Sequence, residues 1–260
     1  MPTILERIVA TKREEIAAAR SARPEEGLIA ALGDAPPVRD FFGALSRPGK
    51  IKLIAEVKKA SPSKGIIRHD FHPADIASIY QRHGATCLSV LTDEHYFHGH
   101  LNHLKQVRAK VDLPILRKDF ILDSHQLLEA RLAGADAVLL IAECLDDCNF
   151  RKLFRDTLEL GMTPLVEVYQ PENLPRVLEA GATLIGINNR DLRTFHVDFD
   201  HTIRMRKQIP DNCLVVAESG IHSAADVMKL EAAGIDAVLV GEHFMASADI
   251  GDAVDDLMGK

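Results

Sequence analysis

From residue 52 onwards, the chain repeats one pattern of hydrophobic and polar positions. A short apolar run ends in polar residues, an amphipathic stretch with helical spacing follows, and a glycine closes the unit. Apolar runs of roughly four to eight residues bounded by turn residues predict buried strands. The predicted strands are 52–58, 86–91, 114–118, 137–142, 163–168, 183–188, 214–218 and 237–240. The predicted helices are 73–83, 101–110, 124–133, 146–160, 171–180, 199–208, 224–233 and 248–258.

The alternation of strand and helix decides the predicted fold class. Strands that alternate with helices pair in parallel through right-handed crossovers. Eight such units in 260 residues favour an α/β fold, a single closed (β/α)8 TIM barrel. The alternative is an open doubly wound sheet, but the G-x-G-x-x-G turn typical of that fold follows no early strand. Predicted helix caps are Gly84, Gly134, Gly181 and Gly234.

The first fifty residues lie outside this repeat and are predicted to be a helical extension. Residues 3–20 place Ile4, Ile8 and Ile16 on one stripe, and Lys12 lies with three further charged residues on the opposite, polar face. Prolines divide the remainder into short helical pieces. We therefore expect one domain over residues 1–260, with an extension at 1–50 attached to a barrel at 51–260.

The first predicted strand runs into the stretch KLIAEVKKASPSKG at 52–65. Glu56 and Lys58 are two residues apart, so their side chains point to the same side of the strand. Burying an acid and an amine at the end of an apolar strand is costly. They form either a structural ion pair or a catalytic pair, and the remaining strands decide between these alternatives. The Ser/Pro/Gly-rich loop at 59–67 is predicted to be a lid.

Charged and amide side chains recur at the ends of the later strands. In a barrel of this type catalytic groups lie at the carboxyl ends of the strands, so these side chains are expected to converge at one mouth. The set comprises Lys118, Asp119, Glu167, Asn188, Asn189, Arg190, Glu218, Ser219 and Glu242. Lysines close to carboxylates hold their pKa values apart, so that one group donates a proton while another accepts it. The sequence therefore predicts general acid–base catalysis.

The loops after the seventh and eighth predicted strands indicate a phosphate site. They contain Ser219, Gly220, Gly241 and Glu242. Backbone N–H groups of such loops bind phosphate, and glycine lets the anion approach the backbone closely. Ordinary tight turns are the alternative. Lys58 is a further candidate phosphate contact. A phosphorylated small molecule is thus the predicted substrate.

Composition narrows the possible partners, cellular location and cofactors of the protein. The net charge is −7, no Lys/Arg run stands out and Trp is absent, so no nucleic-acid partner is expected. The charged N-terminus is not a signal peptide and no stretch is apolar enough to span a membrane, which favours a cytoplasmic protein. The four cysteines lack metal-binding spacing, and we expect neither a metal nor an organic cofactor.

Longer motifs carry a resemblance to a known family. The chain contains A-E-V-K-K-A-S-P-S-K-G at 55–65, S-V-L-T-D-E-H-Y-F-H-G at 89–99, P-I-L-R-K-D-F-I at 114–121, L-V-E-V at 165–168, G-I-N-N-R-D-L at 186–192 and A-E-S-G-I at 217–221. In order and in position, these resemble indole-3-glycerol phosphate synthase, a barrel carbon–carbon lyase of tryptophan biosynthesis. The resemblance implies ring closure, decarboxylation and dehydration of 1-(2-carboxyphenylamino)-1-deoxyribulose 5-phosphate.

The resemblance also implies roles for individual residues. The expected catalytic residues are Glu56, Lys58, Lys118, Glu167, Asn188, Glu218 and Ser219. Lys118 resembles the general acid for ring closure, with Glu167 as its carboxylate counterpart and Lys58 as the second acid, for dehydration. Which lysine protonates which atom stays open. The expected substrate contacts are Ser61 and Arg190 for the carboxylate, Phe97, Phe120 and Leu192 for the aromatic ring, and Gly220, Gly241 and Glu242, with Ser219, for the phosphate.

Two positions qualify the resemblance. His243 stands where a small residue is common in the family, so the shape of the phosphate pocket is open. Arg117 lies beside Lys118 and, by strand alternation, should face the helices in a structural role.

Two other functions are alternatives to the lyase: a phosphosugar isomerase and an inactive barrel that binds a phosphorylated ligand. A monomer is expected, a fused second barrel is not, and contact with other enzymes of the pathway is left open.

Overall fold

Eight parallel strands form a closed barrel in the computed structural model, which describes residues 2–260. The strands are β1 (Lys52–Val57), β2 (Ala60–Ser61), β3 (Gly65–Ile66), β4 (Cys87–Leu91), β5 (Ile115–Lys118), β6 (Ala137–Ile141), β7 (Thr163–Val168), β8 (Leu184–Asn188), β9 (Leu214–Glu218) and β10 (Ala237–Val240). Strands β2 and β3 form a small antiparallel hairpin, and the other eight form the barrel, which closes where β1 pairs with β10. The predicted (β/α)8 barrel is thus confirmed.

Helices alternate with the strands as predicted. They are α1 (Ile4–Ala22), α2 (Glu25–Ala31), α3 (Phe41–Ser46), α4 (Pro73–Arg82), α5 (Glu94–Phe97), α6 (Leu101–Lys110), α7 (Ser124–Ala133), α8 (Asp147–Glu159), α9 (Leu174–Glu179), α10 (Asp200–Arg206), α11 (Ala224–Ala232), α12 (Glu242–Ala246) and α13 (Ile250–Met258). The short helices α5 and α12 were not predicted. All four predicted cap glycines have φ between +78° and +90°, a conformation that L side chains rarely adopt.

Two hydrophobic cores flank the barrel wall. Successive strand residues belong to alternate cores, because side chains alternate along a strand. Ile54 and Leu116 lie in the inner core, whereas their neighbours Leu53 and Ile115 pack in the outer core toward the helices. This double burial explains the nearly continuous apolar strands in the sequence.

The N-terminal segment enters the barrel core instead of lying outside it. Phe41 of α3 is fully buried and belongs to the inner core together with Cys87, Ala137 and Ala237, each of which begins its strand. Helix α3 therefore closes the amino-terminal end of the barrel. Ile8 of α1 belongs to the same core.

One interpretation of the sequence in α1 is wrong. Lys12, predicted to lie on a polar face, is only 4% exposed. Its ammonium lies 2.9 Å from Asp93 Oδ2 and 3.0 Å from Asp119 Oδ1. Helical periodicity could not reveal this burial, because both acids follow barrel strands that are distant in sequence. Helix α1 thus packs onto the carboxyl ends of these strands.

Candidate active site

The fifteen residues predicted for the site line one cavity at the carboxyl ends of the barrel strands. They are Glu56, Lys58, Ser61, Phe97, Lys118, Phe120, Glu167, Asn188, Arg190, Leu192, Glu218, Ser219, Gly220, Gly241 and Glu242. The empty volume is about 1020 Å³, open mouth included, which is enough for a small-molecule ligand. The structure brings all of these residues together, and their individual roles stay predictions.

A buried lysine between two glutamates is the central feature of the cavity. Lys118 Nζ lies 3.1 Å from Glu167 Oε2 and 3.3 Å from Glu218 Oε2. Asn188 Nδ2 donates a hydrogen bond of 3.1 Å to the other oxygen of Glu167. Gly186 in β8 leaves room for this cluster, since a Cβ there would lie 2.4 Å from Glu218 Oε1.

Burial and charge set the protonation states of the cluster. Burial opposes the charged form of Lys118, but the surrounding carboxylates, first of all Glu167, outweigh it and raise the pKa of the amine. Burial raises the pKa of Glu218 to about 8, against the attraction of Lys118 and with the repulsion of Glu167. Burial also opposes ionisation of Glu167, but Lys118 and Asn188 lower its pKa overall. Near neutral pH a cationic amine, a protonated carboxyl and a carboxylate therefore lie in contact.

The Glu56 and Lys58 side chains meet as strand alternation predicts. Lys58 Nζ lies 2.9 Å from Glu56 Oε2. Gly241 makes room for this pair, because a Cβ there would lie 2.4 Å from the same carboxylate oxygen. Both side chains line the cavity that contains Lys118, which favours a catalytic pair over a purely structural one.

Asn188 connects the central cluster to the predicted phosphate loop. Ser219 Oγ donates to Asn188 Oδ1 at 2.9 Å, and the backbone N–H of Arg190 donates to the same oxygen at 3.0 Å. Ser219 has φ of +69°, which is uncommon for a residue other than glycine, and Gly220 follows with +74°. Such backbone conformations recur at functional sites.

Two histidines line the cavity beside the predicted phosphate loops. The rings of His222 and His243 are 6.1 Å apart, and both residues line the cavity. Burial, with the nearby His222, lowers the pKa of His243. The carboxylate of Glu242 lies 3.6 Å from Arg190 and 3.9 Å from Lys64, which belongs to the predicted lid. Sequence reasoning overlooked His222, although it directly follows the glycine loop after β9.

An aromatic wall closes another side of the cavity. The rings of Phe97 and Phe120 are 6.1 Å apart, and Leu192 lies with them on the lining. Phe195 also lines the cavity and was not predicted. Its irregular loop, where Phe195 has φ of +61°, carries no periodic pattern that would have revealed it.

Arg117 faces the helices, as predicted. It is 5% exposed. Its guanidinium donates a hydrogen bond of 2.7 Å to the backbone oxygen of Gln126 in α7 and one of 3.0 Å to Thr92 Oγ1. It thus supports β5 from the side opposite to Lys118.

Residues 2–260 contain no group of three or more His, Cys, Asp or Glu side chains arranged to hold a metal ion. In the same residues, no helix has both the length and the apolar character needed to cross a bilayer.

The fold and the cavity define a class, the (β/α)8-barrel enzymes with acid–base groups at the carboxyl ends of the strands. A family model described as indole-3-glycerol phosphate synthase matches residues 5–257. The chain belongs to this family, the carboxy-lyases (EC 4.1.1.48) of tryptophan biosynthesis.

Curated relatives agree over nearly the whole chain. An indole-3-glycerol phosphate synthase from Rhodopirellula baltica is 54% identical over 248 residues, which covers 95% of this chain and 96% of the relative. One from Albidiferax ferrireducens is 50% identical, covering 99% of this chain and 98% of the relative.

Solved structures with low sequence identity share the fold. A 3-hexulose-6-phosphate synthase from Salmonella typhimurium has a TM-score of 0.64 at 19% identity, covering 80% of this chain and 97% of that structure. A tryptophan synthase complex from Pyrococcus furiosus has a TM-score of 0.60 at 14% identity, covering 80% of this chain and 98% of that structure. At these identities the similarity supports the barrel alone.

Proposed function

We propose that this cavity converts 1-(2-carboxyphenylamino)-1-deoxyribulose 5-phosphate into indole-3-glycerol phosphate, carbon dioxide and water. This is the reaction of the family to which the chain belongs. The observation that carries the proposal is the 3.1 Å contact of Lys118 with Glu167 inside the cavity. It supplies a protonated amine and an ionised carboxylate at one point, as ring closure requires.

Ring closure joins the aromatic carbon that bears the carboxylate to the ketone carbon. The carbonyl oxygen gains negative charge and takes a proton, which we assign to Lys118. The raised pKa keeps Lys118 charged until that oxygen becomes basic. The ring loses its aromaticity and its nitrogen becomes cationic, and the nearby Glu167 carboxylate stabilises this cation.

Two eliminations complete the reaction. Carbon dioxide leaves, and the electron pair of its broken bond neutralises the cationic nitrogen. An acid must then protonate the departing hydroxyl, while a base removes a ring proton to form the indole. Lys58, held by Glu56 at 2.9 Å, is the proposed acid, and Glu167 is the proposed base.

Substrate binding is assigned by the chemistry of the lining. Phe97, Phe120 and Leu192 take the aromatic ring, and Ser61 with Arg190 takes its carboxylate. The phosphate contacts Ser219 and Gly220 after β9 and the backbone of Gly241 and Glu242 after β10. Lys64, 3.9 Å from Glu242, supports the assignment of 59–67 as a lid.

We treat the extension at 1–50 and the barrel at 51–260 as one domain, because both contribute to the inner core. We also propose that the enzyme acts as a cytoplasmic monomer. The four cysteines are free thiols, which fits a reducing compartment. The cavity contains every group that the proposed steps need, so the reaction does not require contact with other enzymes of the pathway.

The test is product formation by the purified protein. The chain contains no Trp, so indole fluorescence should grow on a low background when the substrate is added. Carbon dioxide should appear in equal amount, which distinguishes the lyase from a phosphosugar isomerase. Substrate that binds in a calorimeter without product would favour the binding-protein alternative. Neither binding nor product would contradict the proposed substrate.

A further inference from the structure

Lys12 of α1 is buried beside the aromatic wall although it belongs to the N-terminal extension. Its ammonium lies 2.6 Å from Glu15, 2.9 Å from Asp93 and 3.0 Å from Asp119. Lysines are almost never fully buried unless they are paired, so this site is specific for a cation. Two of the three acids lie in barrel loops that carry the aromatic wall.

Asp93 links Lys12 to Phe97. One oxygen of Asp93 caps α5 by accepting hydrogen bonds from the backbone N–H groups of Tyr96, at 2.8 Å, and Phe97, at 3.2 Å. The other oxygen is buried and lies 2.9 Å from the Lys12 ammonium, which is its charge partner. Thr11 adds a second contact between α1 and α5, at 3.1 Å from the Tyr96 hydroxyl.

Asp119 links Lys12 to Phe120. The oxygen that contacts Lys12 also accepts the backbone N–H of Phe120 at 2.8 Å. The other oxygen accepts hydrogen bonds from Thr92 at 2.6 Å and Arg117 at 3.1 Å. Asp119 is thus fixed from both sides, and it lies between Lys118 and Phe120 in the chain.

We propose that Lys12 is a positioning residue that holds Phe97 and Phe120 as a clamp on the aromatic ring of the substrate. It does not touch the substrate and acts through Asp93 and Asp119. The N-terminal helix thereby supplies part of the active site. This inference rests on the proposed function, because it assigns the clamp to an aromatic substrate.

The test compares two substitutions on the same helix. Lys12→Met keeps an unbranched side chain of similar shape and removes the charged ammonium group. Arg20→Met is the matched control, because Arg20 ties α1 to Asp123 at 2.7 Å but lies outside the cavity. Lys12→Met should lower kcat/KM by about 10- to 100-fold, as misplaced substrate contacts do. Arg20→Met, which breaks an exposed ion pair, should change it by less than about twofold.

Two ligands separate positioning from general loosening of the fold. One is the substrate analogue whose ketone is reduced to an alcohol, which contains the aromatic ring but cannot close it. The other is inorganic phosphate, and calorimetry measures the Kd of each ligand directly, without turnover. Lys12→Met should raise the Kd of the analogue at least about tenfold and leave the Kd of phosphate within about twofold. Equal weakening of both ligands, or unchanged analogue affinity, would overturn the proposal.

A second variant keeps the test decisive if Lys12→Met does not fold. Lys12→Met with Asp93→Asn removes one charge of each sign, and Asn still caps α5. The double variant should lose the same analogue affinity, and wild-type affinity would overturn the proposal. Wild-type protein that forms no product would contradict the proposed function instead, while the two-ligand comparison would still decide the role of Lys12.

Discussion

The protonated state of Glu218 offers a direct test of the charge distribution in the cavity. Glu218→Gln keeps the shape of the side chain but cannot ionise. The pKa of Glu218 is about 8 in the folded protein, against an ordinary value of 4.5. Ionisation is therefore about 5 kcal/mol more costly in the folded protein than in the unfolded chain.

Proton linkage gives the sign of the effect. Between pH 4.5 and 8 the folded protein holds a proton on Glu218 that the unfolded chain has lost, so this group lowers the free energy of unfolding as pH rises. Below that window both states are protonated, and above it neither is. Glutamine does not ionise, so the Glu218→Gln variant does not lose stability in this way as pH rises. The free energy of unfolding of Glu218→Gln, relative to wild type, should rise by up to about 5 kcal/mol between about pH 5 and 9.

The assay is denaturant unfolding followed by far-UV circular dichroism at several pH values. Weaker packing or hydrogen bonding of the glutamine changes stability by the same amount at every pH, so the variation with pH reports the ionisation of Glu218 together with its coupling to Glu167 and Lys118. Infrared spectra at neutral pH should also contain a band of a protonated carboxyl that Glu218→Gln removes. The exposed Glu172→Gln is the control and should keep that band. A stability difference independent of pH, with no such band, would refute the assignment.

Three other substitutions probe neighbouring parts of the site. Glu167→Gln should lower kcat at least about 100-fold with little change in KM, and a rise confined to KM would make Glu167 a binding residue. Gly186→Ala should lower kcat about 10- to 100-fold, because its Cβ would lie 2.4 Å from Glu218 Oε1, and wild-type activity in steady-state assays would contradict this. With its lowered pKa, His243 is neutral at pH 7.5, so His243→Ser should change KM less than about threefold there. A much larger rise in KM would mean that the imidazole binds phosphate directly.

The barrel could be predicted because its signals are local. Each strand is an apolar run, and each of the four predicted cap glycines adopts the positive φ that its position requires. The convergence of Lys118, Glu167 and Glu218 followed from one rule, that the carboxyl ends of barrel strands meet at one mouth. The sequence also predicted that the pKa values separate, but which carboxyl has the raised pKa, Glu218 and not Glu167, depends on tertiary contacts.

The environments of Lys12 and Phe195 depend on loops that are distant in sequence and have no periodicity. Lys12 lies on a regular helix, but two of the acids that bury it follow β4 and β5. Phe195 enters the cavity through an irregular loop with a positive φ. Only tertiary contacts determine such positions.

The central claim is that Lys118 donates the proton for ring closure. Its most direct test is a single-turnover experiment with enzyme in excess, in which indole fluorescence follows wild type, Lys118→Ala and Lys52→Ala. Lys52 is the matched control, because it begins β1 at the opposite end of the barrel and its amine bonds to the Lys50 backbone oxygen. Lys118→Ala should fold and slow indole formation at least about 100-fold, while Lys52→Ala should not. A folded Lys118→Ala protein that forms indole at the wild-type rate would contradict the account.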